Sequence, residues 1–296
     1  MALPAAVLNQ AHMRAPKGIV YGPPGIGKTT FGAGADKPLI VDCENGTAHV
    51  NCDRTPYLPK WDAIRQWLDA LSKGGHGYGT VVVDSVDWLL RRLEEHVSGV
   101  KDGEVGMSQT MNRSHGGYGN GKQVLKNYVY QYLLPTLDKI VNSGVAVVLL
   151  AHTSRQVVTS IDGVPVEKSA PDMHADLVQT LIEWSDFVAA ARFNPTTNVR
   201  EMILSESNQH LAKNRYGITT SLMLDWNTLQ NEIVKAQTPV AQIAAAPAAV
   251  PPLNVAVTAP QQTDTGVPQP SVPQSPDGSD VAAANSEPQT AGVNNA

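Results

Sequence analysis

The residues of this chain best suited to do chemistry begin in 19-IVYGPPGIGKTTF-31. Gly22, Gly27, Lys28 and Thr29 meet the pattern G-x-x-x-x-G-K-[ST], with Gly25 inside it. An apolar stretch precedes the pattern and a helical one follows it, which is the context of a phosphate-binding loop. Glycines let successive backbone N–H groups converge on an anion, and a helix start adds favourable potential. The cradle is read as Gly22, Pro23, Pro24, Gly25, Ile26, Gly27, Lys28, Thr29 and Thr30. Lys28 is expected on the β- and γ-phosphates of ATP, and the Thr29 hydroxyl on Mg²⁺. Pro23 and Pro24 stiffen the loop before binding. Gly32 and Gly34 each cost the following helix about 1 kcal/mol relative to Ala, so close packing of that helix on a sheet is expected at both.

Other polar groups stand at the ends of apolar runs. In 80-TVVVDS-85, Asp84 closes a buried strand, where open α/β sheets bind ligands. It is expected to hold Mg²⁺ through water, paired with Thr29, while Ser85 can cap the helix after it. The run 41-VDCENGT-47 places Asp42 and Glu44 near the same edge, and strand alternation lets only one of them face the nucleotide. Glu44, at the strand's end and before 45-NG-46, is chosen as general base, with Asp42 as the alternative. In 149-LLAHTSR-155, His152 emerges at that edge, either to hydrogen-bond the γ-phosphate and report its loss or to be satisfied by backbone. Lys213 and Arg215 in 212-AKNRYG-217 lie two apart, so an extended strand points both the same way. Taken alone, that pair is an ordinary solvated strand face.

The elements that must position these groups alternate. Strand patterns occupy 18–22, 39–43, 80–84, 145–151 and 186–192. Helical spacing runs through 61–72 (Trp61, Ile64, Leu68, Leu71) and 86–97 (Val86, Leu89, Leu90, Leu93, Val97). A longer helical pattern over 122–143 contains Pro135 and should break or kink there. The polar turn 194-NPTTN-198 separates two late extended stretches and predicts a hairpin on the sheet edge. The fold class is α/β: a mainly parallel sheet flanked by helices, with a late β-hairpin.

Of 296 residues, 42% are hydrophobic, enough for one sizeable core. A net charge of −5 argues against coating duplex nucleic acid by bulk positive charge. The longest apolar run, 145-VAVVLL-150, is too short to span a bilayer, and 5-AAVL-8 lacks the features of a signal peptide, so a cytoplasmic protein without membrane association is expected. Cys43 and Cys52 fit a reducing compartment; with His49 and Asp53 they lack the ligand-pair spacing of a metal cluster. The expected organisation is an extension over 1–17, a core over 18–235 and a disordered tail over 236–296. The tail holds ten of the 21 prolines and no Lys, Arg or aromatic residue. Its charges are Asp264, Asp277, Asp280 and Glu287, which leaves the front part close to neutral. Such a composition cannot offset its ordering entropy by burial.

Taken together, GPPGIGKTT, VDCENGT, VVVDS, LLAHTSR and AKNRYGI resemble the RecA-like ATPases, and more narrowly the phage AAA-type family that includes the Sak-type single-strand annealing proteins. The resemblance spans Gly18 to Ile218. It implies a RecA-like P-loop ATPase with Glu44 as catalytic glutamate and His152 as sensor. It also implies Lys213 and Arg215 reaching a neighbouring subunit's nucleotide, hence a homo-oligomer (ring or filament) with active sites completed in trans. It further implies single-stranded DNA as a partner, bound by the segments 98–122 and 153–173 in a bacterial host cytoplasm, together with a single-strand-binding protein. Within those segments Arg113, Tyr118, Lys122, Arg155 and Lys168 are the candidate contacts, since mobile loops with interspersed basic and aromatic residues suit strand tracking. Tyr128, Tyr130 and Tyr132 are read mainly as packing. An ATP-driven loader acting on a protein partner is the alternative function.

Overall fold

The computed structural model describes residues 14–99, 110–159 and 163–237. Of the tail expected over 236–296, Ala236 and Gln237 end a helix instead, and the rest lies outside the described residues. Apolar runs at the strand positions assemble into a nine-stranded sheet. Its parallel body takes β1 (Lys17–Tyr21), β2 (Pro38–Asp42), β3 (Asp53–Arg54), β4 (Thr80–Asp84), β5 (Ala146–Ala151) and β8 (Phe187–Phe193). In space the parallel order is β3-β2-β4-β5-β1-β8. Antiparallel additions on the β8 side are β9 (Arg200–Ile203), β10 (Lys213–Asn214) and β11 (Leu222–Met223). This is the mainly parallel, helix-flanked sheet expected of a RecA-like P-loop fold.

Why both faces are covered follows from side-chain alternation. Ile19, Tyr21, Val81, Val83, Val147 and Leu149 point into one apolar layer. That layer is closed by α2 (Trp61–Leu71), α3 (Val86–Ser98), α4 (Asn120–Tyr128) and α5 (Leu134–Asn142), with α6 (Ala175–Trp184) packed into it as well. Val20, Ile40, Val82, Val148 and Leu150 point the other way, toward α1 (Lys28–Ala33) and α7 (Trp226–Gln237). Phe31 of α1 meets Trp226 of α7 edge-on, with ring centroids 5.8 Å apart.

The expected break before Pro135 is real and local. A π-helical turn at Val129–Leu133 separates α4 from α5, and Pro135 sits in the first turn of α5, where a missing N–H costs nothing. Tyr128 and Tyr132 pack edge-on against Trp61 at 6.4 and 5.7 Å, as expected of packing residues. Tyr130 is half exposed and places its hydroxyl 2.8 Å from that of Thr180. The turn after β8 is closed by Asn194, whose Oδ1 accepts the N–H groups of Thr196 and Thr197 at 2.9 and 3.1 Å. β9 then returns antiparallel to β8, giving the expected hairpin.

Two expectations need correction. The segment 153–173, read as a mobile loop, contains a second, two-stranded sheet made by β6 (Thr153–Thr159) and β7 (Pro165–Pro171). The close packing expected of both helix glycines holds only for Gly32. A Cβ on Gly32 would stand 2.7 Å from Val82 Cγ1, whereas one on Gly34 would meet nothing nearer than 3.5 Å. Gly34 lies past the end of α1, as its C-cap.

Candidate nucleotide site

Strand order brings the chemistry together. β1, β5, β4 and β2 are consecutive neighbours, paired in register as Tyr21↔Ala151, Asp84↔Leu150 and Asp42↔Asp84. Each strand releases its polar residue at the same carboxyl edge: the phosphate loop after β1, His152 after β5, Asp84 at the end of β4 and Glu44 beyond β2. A cleft of about 340 Å³ opens there. It is lined by Pro24, Gly25, Gly27, Lys28, Thr29, Thr30, Glu44, Gly46, His49, Asp84, His152 and Arg200.

The loop takes the shape its glycines allow. Gly25 has φ +77 and Gly27 φ +106, values that a side chain would strain. Gly27 caps α1, so the first N–H groups of the helix open toward the cleft. Lys28 Nζ donates to Gly22 O at 2.9 Å and to Pro23 O at 3.1 Å, folding back over its own loop. Burial pushes the Lys28 ammonium's pKa down, and Asp84, Glu44 and Asp87 pull the other way. An ammonium held by carbonyls alone is ready to exchange them for phosphate oxygens.

Thr29 Oγ1 donates to Asp84 Oδ2 at 2.7 Å. Burial pushes the Asp84 carboxyl up to about 6 against the Thr29 hydrogen bond, and Glu44 and Asp42 add to the rise. A hydroxyl and a buried carboxylate, both hard oxygen donors and both lining the cleft, fit the donor set that Mg²⁺ takes. Asp84 does not cap α3. Ser85 occupies the cap position but makes no capping hydrogen bond through its side chain.

The structure separates Asp42 from Glu44. Asp42 is buried, and its Oδ1 accepts the N–H groups of Glu44 and Asn45 at 3.1 and 2.6 Å. The Thr47 hydroxyl donates to its other oxygen. With its acceptors used by the turn, Asp42 holds the loop that presents Glu44 to the cleft. Asp42 is absent from the cleft lining, where Glu44 appears.

His152 is not satisfied by backbone on its ring. Nδ1 lies 2.9 Å from Asp87 Oδ2, and Nε2 lies 3.5 Å from Glu44 Oε1. Its carbonyl accepts from Asp172 N at 2.9 Å, so the residue also ties the base of the β6–β7 ribbon.

Lys213 and Arg215 are not brought to this cleft. β10 pairs with the start of β8, Lys213↔Val188 and Asn214↔Phe187, at the opposite end of the parallel strands. Lys213 Nζ donates to the carbonyls of Ile182 and Glu183 at 2.7 and 2.9 Å. Arg215 pairs with Asp186 at 3.1 Å and leaves half its side chain exposed.

The candidate DNA residues divide. Tyr118 is fully exposed and Arg113 is exposed. Lys122, read as part of a flexible loop, lies in the first turns of α4. Arg155 and Lys168, read as loop residues, stand on the ribbon, where Arg155 meets Glu167 at 3.3 Å and Lys168 meets Glu206 at 2.7 Å. Residues 100–109 of the first segment lie outside the described residues.

Two residues escaped the sequence reading. Asp87 has one available signal, its place three after Asp84 in 84-DSVD-87. Arg200 has none, because only the return of β9 brings its guanidinium over the loop. Its Nη1 lies 3.1 Å from where a Cβ on Gly27 would stand, and its guanidinium carbon lies 5.7 Å from the Phe193 ring centroid.

A phosphate cradle with a paired hydroxyl and carboxylate, set on a sheet of this order, defines a RecA-like P-loop nucleotide-binding protein. A family model described as an AAA domain matches residues 14–216, and the chain belongs to that P-loop ATPase family. Among solved structures, the RadB recombinase is 16% identical and aligns over 64% of this chain and 81% of its own, with a TM-score of 0.35. The KaiC-like protein PH0186 from Pyrococcus horikoshii OT3 is 15% identical over 64% of this chain and 78% of its own, also at 0.35. No curated protein sequence matches the chain. Among the described residues, no helix is long and apolar enough to cross a membrane.

Proposed function

We propose that this chain hydrolyses ATP with Mg²⁺ and couples turnover to single-stranded DNA in recombination or annealing of the phage Sak type. The observation that carries the hydrolytic reading is the placement of Glu44, Lys28, Thr29, Asp84 and His152 around one cleft from four adjacent strand ends.

In this reading Lys28 leaves the Gly22 and Pro23 carbonyls for the β- and γ-phosphates. Thr29, and Asp84 through water, would hold Mg²⁺, which would supply positive charge beside the phosphate oxygens. Glu44 orients a water and accepts its proton as the water oxygen bonds to the γ-phosphorus. The bond to the bridging oxygen breaks, and ADP leaves. His152 Nε2–H, which faces Glu44, is shared between that carboxylate and a γ-phosphate oxygen once ATP is bound. Arg215 of an adjacent copy, with Lys213 beside it, stabilises the transferred group in a homo-oligomer. Their place at the far end of the strands supports a trans role over a cis one.

The DNA reading draws on the ribbon that begins directly after His152 and on exposed Tyr118 and Arg113. A single-strand-binding protein would then share the substrate. One observation favours the alternative, an ATP-driven loader acting on a protein: Arg155 and Lys168 already have carboxylate partners. The deciding experiment is a DNA titration of steady-state hydrolysis at low and moderate salt. Stimulation that weakens with salt is expected. An unchanged rate, with no shift of labelled single strands, would replace the DNA reading by the protein-partner one.

A further inference from the structure

We infer that Asp87 is a positioning residue of the hydrolytic site, acting through His152 to set the Glu44 carboxylate; the inference rests on the ATPase reading above. Asp87 lies in the first turn of α3, with its side chain 2% exposed. A carboxylate so buried needs hydrogen bonds to remain charged, and a helix start favours its charge. Both oxygens are used on one residue. Oδ1 accepts the His152 backbone N–H at 3.1 Å, and Oδ2 accepts from Nδ1 at 2.9 Å.

The two bonds fix the ring's position and its chemistry. Nδ1 must carry a proton to donate to Asp87, so the ring's remaining nitrogen, Nε2, faces Glu44 Oε1 across 3.5 Å. The charged groups facing the imidazole are Asp87 on α3, Glu44 beyond β2 and Lys28 on α1. The hydrogen bond to Asp87 raises the His152 pKa against burial, and its attraction to both carboxylates adds to the rise, while Lys28 opposes it. Burial pushes the Asp87 carboxyl up, but the hydrogen bonds and charge of His152 outweigh it and hold it below the usual range. The imidazolium therefore persists to higher pH than for a free histidine, with Nε2–H directed at the base. Carboxylate, imidazole ring and carboxylate form a chain from α3 to the cleft. Its far end, Glu44, would otherwise rest only on the turn that Asp42 organises.

Asp87→Asn keeps an acceptor for the His152 N–H but presents an amide to Nδ1. The NMR titration midpoint of His152 should fall, and kcat should drop about 10- to 100-fold, as for other partners that orient a functional histidine. KM for ATP should stay within about twofold, because the phosphate cradle is untouched. In a His152→Ala background the same substitution should add almost nothing to the loss in kcat. An unchanged His152 midpoint, or an equal loss in both backgrounds, overturns the inference. Should Asp87→Asn not fold, the wild-type ring nitrogen spectrum at pH 7 decides. A proton on Nδ1 supports the arrangement, whichever state Nε2 is in, and a bare Nδ1 overturns it. If the wild type hydrolyses no ATP, the ATPase reading fails by itself, and the His152 midpoint still judges the Asp87 contact.

Discussion

Thr29 and Asp84 meet at 2.7 Å, Oγ1 to Oδ2, one from the first turn after β1 and the other from the end of β4. The contact spans the position of β5 between those strands, and it places two hard oxygen donors where the helix start would hold phosphate. Thr29→Val should raise the Mg²⁺ concentration needed for half-maximal nucleotide binding by on the order of tenfold. Because Asp84 is pushed up to about 6, the Mg²⁺-dependent part of binding should fall as pH drops through 6. The metal-free fold gains over the same interval, since burial disfavours the ionised form and the folded state takes up the proton. Titrations with labelled nucleotide and melting curves at pH 5 to 8 check both signs.

Among the described residues, the hydrogen bonds of Lys28 Nζ go to the Gly22 and Pro23 carbonyls. Lys28→Ala should weaken ATP binding on the order of 10²-fold, the cost of leaving phosphate charge without its partner. The melting temperature should change little, because what is lost is a contact to loop carbonyls. Equilibrium binding of a fluorescent ATP analogue measures the first effect and thermal denaturation the second.

Gly32 tests the architecture that carries the loop. A Cβ there would press on Val82 Cγ1 at 2.7 Å, and α1 has no room to rise without moving the cradle. Gly32→Ala should destabilise the fold by about 1–3 kcal/mol despite the better helix propensity of Ala. Gly34→Ala should be close to neutral in the same denaturant titration.

Strand-end chemistry was legible because burial writes it plainly. An apolar run such as 80-TVVV-83 that stops at a carboxylate marks both the strand and its edge, so Asp84, Glu44 and His152 could be placed without coordinates. Contacts made across the chain's return were not. Arg200 reaches the loop only because Asn194 closes a turn and β9 comes back, and Asp87 meets His152 only because β4 and β5 are neighbours. The β6–β7 ribbon was missed for another reason. It pairs off the main sheet, so little burial imposes alternation on 153-TSRQVVT-159 or 165-PVEKSAP-171. The sequence does carry a turn dipeptide, 162-DG-163, but its flanks lack the apolar alternation that marks strands.

Arg215 should be dispensable for folding and required for turnover. Its partner Asp186 also receives Arg14, so Arg215→Ala leaves that buried carboxylate paired. Hydrolysis should fall by about 10³-fold, with ATP binding kept, if the guanidinium acts on a neighbour's transition state. Mixing Arg215→Ala with Glu44→Gln chains should restore part of the activity, because some interfaces then hold an intact pair. A mixture no more active than its components would remove the trans assignment.

Glu44, not Asp42, is placed to activate water in this cleft, so single-turnover hydrolysis of γ-labelled ATP by Glu44→Gln is decisive. The rate should fall about 10²- to 10⁴-fold below wild type with ATP affinity preserved. Hydrolysis by Glu44→Gln at the wild-type rate would contradict that role for Glu44.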